Sequence, residues 1–220
     1  MKLLCCWLGL GLGVSLAAQA PPPPPDRVVA LLQELTQAPG PPGFEEPVAA
    51  IMAAHFKPYV DSMQYDGLGS LIARQGSQGP RIMLDAHMDE LGGMIRRFTP
   101  DGYLTMQMLG GWLDQALPGQ RWVIIGAKGP VHAITNIWDA HIATPDQRTH
   151  LMPRDSVFLD VGVHSAAAAR ELGLAPGDPV VPDSPFIEMN GTGNYVAKAW
   201  DDRIGCAVML EAARQLARLP

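Results

Sequence analysis

No basic cluster large enough to displace counterions from a phosphate backbone occurs in the 220 residues, and the net charge is −6. Nucleic-acid binding is excluded on that ground, because it needs a concentrated positive face. Cysteine is nearly absent. Of the three, Cys5 and Cys6 fall in an export-type N-terminal segment, so Cys206 has no partner for an internal disulfide. Lying inside the helix expected after Asp202, it reads as a small core residue and not as a nucleophile. Long apolar runs are missing as well: the longest, Leu3 to Leu16, is too short for a comfortable membrane span. There is no internal repeat, and no low-complexity tract apart from Pro21 to Pro25. What is there, 47% hydrophobic and 17% charged residues, supports one substantial core, or one core and a small second domain.

Residues 1–20 have the layout of a secretory signal: Lys2, an apolar stretch, then Ala17-Ala18-Gln19-Ala20. Cleavage after Ala17, with Ser15 at the −3 position, avoids placing Pro21 at the scissile bond. The protein is then expected to be periplasmic or secreted; the alternative is a buried N-terminal anchor and a cytoplasmic protein. Residues 21–26 form a stiff proline linker. Asp26 caps a helix with Val28, Val29, Leu31, Leu32 and Leu35 on one face, and Pro39 to Gly43 stop it. A second helix is expected over Glu45 to Phe56. Strands are expected at Met63 to Tyr65, Ser70 to Arg74 and Arg81 to Ala86, with Asp66-Gly67 turning the first into the second.

Beyond Gly93 the pattern changes to short alternating runs: Met94 to Phe98, Tyr103 to Met108, Trp122 to Ile125 and Gly129 to Ile134. Such spacing predicts a small antiparallel barrel, with Trp112, Trp122 and Trp138 as core or interface residues. A loop from Asp146 to Arg154, a strand over Ser156 to Val161, a short helix from Ser165 to Leu172 and a β region from Asp178 to Phe186 complete it. Asp201 then closes a strand, and Asp202-Arg203 open a helix containing Ile204, Val208, Leu210, Ala213 and Leu216.

Chemistry concentrates at Met83 to Gly92, where an apolar run ends in His87, Asp89 and Glu90. Ligands gather beyond the carboxyl ends of strands in open α/β sheets. A neutral imidazole there is a good ligand for a divalent transition metal, and a carboxylate two residues on, Asp89, lies on the same side of an extended chain and can fix its tautomer. Glu90 is adjacent but is assigned no ligand role. Alone, this H-x-D pattern is more often a surface ion pair than a site. A second segment, Val196 to Gly205, has two acids at the end of a short apolar stretch. Other histidines read differently: His55, His132 and His164 as structural or exposed, and Asp139-Ala140-His141 as a decoy without an accompanying carboxylate segment.

Together, His87 to Gly92 and Ala199 to Gly205 resemble the H-x-D-E-[IL]-G and A-[FW]-D-D-R-[IV]-G segments of the M42 metallo-aminopeptidases. Leu31 to Glu46, Asp66 to Ala73 and Leu109-Gly110-Gly111-Trp112 resemble further segments of that family, so the likeness covers about the whole chain after residue 26. The resemblance implies an α/β fold, a di-zinc exopeptidase-type α/β/α sandwich incomplete here. Residues 27–93 and 196–220 would form it, with a β-rich barrel-like oligomerisation domain inserted at 94–195. It implies two divalent metal ions per subunit, Zn²⁺ or Co²⁺, with His87 and Asp201 as ligands, Asp201 bridging them, and Asp89 in the catalytic role of orienting His87. The alternative for Asp201 is an N-cap of the following helix; that role, or a salt bridge, is expected of Asp202 instead. The reaction implied is removal of N-terminal residues from peptide substrates by metal-activated water, in a homo-oligomer built from dimers up to a dodecamer. The family's Glu-Glu pair and last Asp and His ligands are expected after residue 220. The chain as it stands is therefore expected to be a poor catalyst or, alternatively, an inactive scaffold that keeps the oligomerisation domain.

Overall fold

The structure is a computed structural model that describes residues 26–219. The export signal and the prolines expected at 1–25 lie outside these residues. Helix α1 (Arg27–Gln37) starts where Asp26 Oδ1 accepts a hydrogen bond from Val28 N at 2.7 Å, and its apolar stripe buries Leu31 and Leu35. Helix α2 (Glu46–Phe56) has Pro47 in its first turn, where a missing N–H costs nothing, and buries Val48, Met52 and Phe56. Strands β1 (Ser62–Tyr65) and β2 (Leu71–Arg74) pair antiparallel. The loop between them is wider than the expected two-residue turn. It runs from Asp66 to Ser70, with Asp66 Oδ1 accepting from Leu68 N and Ser70 N at 2.9 Å each and Gly69 at φ +92°.

Six strands close a barrel in the order β3-β4-β7-β6-β5-β8, every neighbouring pair antiparallel. These are β3 (Gly92–Phe98), β4 (Leu104–Leu109), β5 (Arg121–Gly126), β6 (Gly129–Thr135), β7 (Leu159–Asp160) and β8 (Pro179–Pro182). Closure removes free edges, and the inward positions supply the core: Ile95, Leu104, Trp122, Ile124, Leu159 and Val180 are fully buried. Trp112 packs on Trp122 with ring centroids 5.0 Å apart, and Trp138 packs against the same core. The strand expected over Ser156 to Val161 pairs only at Leu159–Asp160. The expected loop contains a short helix, α3 (Pro145–Thr149), opened by a Thr144/Gln147 capping box. Helix α4 (Ala166–Glu171) starts on Ser165, as its sequence predicts.

The hairpin β9 (Ile187–Glu188) and β10 (Tyr195–Val196) leads to α5 (Trp200–Leu216). Cys206, Ala207, Leu210 and Ala213 of α5 pack against α1 and α2 in a second core, which β1 and β2 border through Met63, Leu71 and Ala73. One expectation fails outright. Arg81 to Ala86 is not a buried strand: Ile82 is 81% and Met83 86% exposed, and no pairing occurs there. A run of apolar residues becomes a strand only beside another strand, and among the described residues none lies alongside it.

Candidate metal centre

Three of the side chains singled out from the sequence meet at one point. His87 Nδ1 lies 2.9 Å from Asp89 Oδ1, and Nε2 lies 3.0 Å from Asp201 Oδ1. Partial burial works against a charged ring here. The hydrogen bond to Asp201 and the charges of Asp89 and Asp201 outweigh it and hold the His87 pKa above its ordinary value. Each ring nitrogen thus stands at hydrogen-bond distance from a carboxylate oxygen.

The start of α5 sets Asp201 free for this contact. Ala199 is left-handed (φ 59°), and Asp201 and Asp202 have non-helical dihedrals within the helix as assigned. The Asp201–Asp202 peptide bond is cis. Asp202, not Asp201, takes the capping role, its Oδ1 accepting from Gly205 N at 3.2 Å. Gly205 must be glycine for this, because a Cβ there would stand 2.6 Å from the Asp202 carboxylate. Asp201 is left with its side chain 95% exposed, turned to His87.

Beneath the pair lies a buried ionic cluster that spacing did not reveal. Glu90 accepts from Lys198 Nζ at 2.6 and 2.7 Å and from Gly40 N at 3.1 Å, and Arg203 Nη2 stands 3.5 Å away. The Arg203 guanidinium, fully buried, donates to the carbonyls of Met88 (3.0 Å), Leu35 (2.6 Å), Ala38 and Gly40 (3.4 Å). Burial lowers the pKa of Lys198, against the pull of Glu90. The only signal in the sequence was that charged residues sit inside otherwise apolar motifs.

The Leu109 to Trp112 turn also gains a physical role. Trp112 Nε1 donates to the Gly92 carbonyl at 2.9 Å, and Gly110, at φ +83°, packs so closely on Leu91 that a Cβ would come within 2.4 Å of it. The barrel is thereby docked onto the end of the His87 segment. Cys206 is buried, its Sγ 3.5 Å from the His87 carbonyl, and burial with the Asp202 charge pushes its thiol up to about 11. It is a packing residue. In the decoy, Asp139 Oδ1 accepts from the backbone N–H of His141 in a local turn. His55 contacts Glu34 at 2.8 Å, His132 stands 3.6 Å from Asp183, and His164 is exposed.

The donors fit part of the shell of one ion. Two ligands of a tetrahedral zinc, each at about 2.0–2.1 Å, stand roughly 3.3 Å apart, and His87 Nε2 and Asp201 Oδ1 are 3.0 Å apart. Imidazole with carboxylate suits Zn²⁺ or Co²⁺. Among the described residues no group of three or more His, Cys, Asp or Glu side chains is arranged to hold one ion.

An antiparallel barrel adjoins a helical layer, and His87, Asp89 and Asp201 meet in the segments that join the two. A sequence model described as M42 glutamyl aminopeptidase matches residues 69–219, and the chain belongs to that family. It is 34% identical over 193 residues to the glutamyl aminopeptidase of Lactococcus lactis subsp. cremoris, covering 84% of this chain and 54% of that protein. The TET aminopeptidase of the marine sediment archaeon Thaumarchaeota archaeon SCGC AB-539-E09 superposes with a TM-score of 0.82 at 40% identity, over 87% of this chain and 54% of its own. The TET1 peptidase of Pyrococcus horikoshii, which assembles into a tetrahedron or a large octahedral shell, superposes with a TM-score of 0.77 at 29% identity, over 86% and 56%. The chain thus spans about half the length of the relatives it matches.

Proposed function

We propose that this chain contributes to a metal-dependent aminopeptidase that removes N-terminal residues from peptides, with His87 and Asp201 as metal ligands and Asp89 orienting His87. The observation that carries the reading is the position of His87, with a carboxylate on each ring nitrogen at 2.9 and 3.0 Å. Asp89, accepting a hydrogen bond from Nδ1–H, would leave Nε2, on the side of Asp201, as the nitrogen that ligates a metal. Asp201 has a second carboxylate oxygen, free in the exposed side chain, which suits it to bridge two ions. A pair of divalent cations, when bound, supplies an activated water and charge stabilisation at the scissile carbonyl. Retention of Zn²⁺ or Co²⁺ after exhaustive dialysis, lost in His87→Ala and Asp201→Ala, tests the metal half. Hydrolysis of aminoacyl anilides with a free amino group, and not of their acetylated forms, tests the exopeptidase half.

A second reading is a catalytically inactive scaffold that keeps the barrel and a remnant of the site. Metal retained without hydrolysis is its signature. In the first reading, α1, α2 and α5 form a layer of a di-zinc exopeptidase-type α/β/α sandwich made from 27–93 and 196–220, with 94–195 as an inserted oligomerisation domain. Homo-oligomers up to a dodecamer are proposed by analogy with the TET1 assemblies. Export directed by residues 1–20 belongs to the same reading; the mass of the mature N-terminus from the native host tests it.

A further inference from the structure

We propose that Arg203, which shares the Glu90 carboxylate with Lys198 beneath the site, is the positioning residue that holds His87 and Asp201 at ligand spacing. The inference rests on the metal reading above. Asp201 is not held by its own helix, since its dihedrals are non-helical and its side chain is 95% exposed. Its place is set by anchors on either side: Lys198 before it reaches Glu90, and Arg203 after it reaches the Met88 carbonyl at 3.0 Å. Those two targets, Met88 and Glu90, sit just after His87 in the chain. The same guanidinium donates to Leu35, Ala38 and Gly40, so it fastens the end of α1, the His87 segment and the start of α5 to one another.

Only a planar fork can make these bonds together; a lysine is a single point of donation on a flexible stem. The cluster is sealed from water, with Glu90 and Arg203 side chains 1% and 0% exposed, so no solvent molecule replaces a lost bond. Gly40 completes the seat: a Cβ there would come within 3.0 Å of Arg203 Nη2.

The test is Co²⁺ titration of the full chain, read as affinity and as the visible absorption of the bound ion, which reports ligand geometry. Arg203→Lys and Glu90→Gln are expected to weaken binding about 10- to 100-fold and to shift the absorption, as loss of groups that orient ligands does. Leu210→Ala, a core truncation on the same helix away from the cluster, is expected to lower thermal stability and leave both readouts unchanged. If Arg203→Lys does not fold by circular dichroism, Glu90→Gln is read alone. Wild-type affinity and spectrum in the readable variants, or equal weakening by Leu210→Ala, would overturn the positioning role while leaving the metal site standing. His87→Ala binding Co²⁺ like the wild type would instead remove the metal reading and this inference with it.

Discussion

His87 is a ring with a carboxylate at each end, and its ionisation and its proposed ligand role compete. Its pKa is raised, so in the metal-free protein the imidazolium between Asp89 and Asp201 contributes stability that is fully present below the ordinary value of about 6.5 and is lost as pH rises through the folded value. Metal needs the Nε2 lone pair. Zn²⁺ affinity should therefore fall about tenfold per pH unit below the raised pKa and level off above it; competition titrations across that range check it, and Asp89→Asn should move the break to lower pH. Cys206 gives the opposite case. With its thiol at about 11 and its side chain buried, iodoacetamide at neutral pH should leave it unmodified in the folded chain and alkylate it only in denaturant, as peptide mass mapping would show.

At the scale of the element, α5 divides two acids between two tasks: Asp202 caps, and Asp201 faces His87. Asp202→Ala should cost about 1 kcal/mol of stability, within the 0.5–2 typical of lost caps, while Asp202→Asn should cost little; urea unfolding of both variants decides. That His87 and Asp201 would meet was legible in the sequence because local motifs carried them, and the barrel because alternation over short runs reports one-sided burial. The strand expected at Arg81 to Ala86 was misread because hydrophobic periodicity reports what a segment would bury, not whether a neighbour is there to bury it. Asp66 to Ser70 was misread because an aspartate that bonds two backbone N–H groups makes a wide loop as stable as a tight turn. The Glu90, Lys198 and Arg203 cluster was not legible as a cluster: charges inside apolar motifs were visible, but each is an ordinary charged residue until the fold brings segments far apart in sequence together.

At the scale of the molecule, Trp112 bonds Gly92, the first residue of β3, and so ties the barrel at the point where the His87 segment enters it. The barrel-bearing part exposes Leu113 (64%) and Ile137 (68%), and self-association through such apolar side chains is the proposed route to larger assemblies. Ile137→Glu should lower the mass measured by light scattering towards that of a monomer; a mass unchanged from the wild type would place the contact elsewhere. The central claim is that His87 and Asp201 hold a metal ion between them. Zinc-edge X-ray absorption of the Zn²⁺-loaded chain tests it most directly. The account predicts one imidazole and carboxylate oxygen in the first shell at about 2.0–2.2 Å, with the imidazole signature lost in His87→Ala. A spectrum showing only water oxygens, or an imidazole signature that survives His87→Ala, would contradict it.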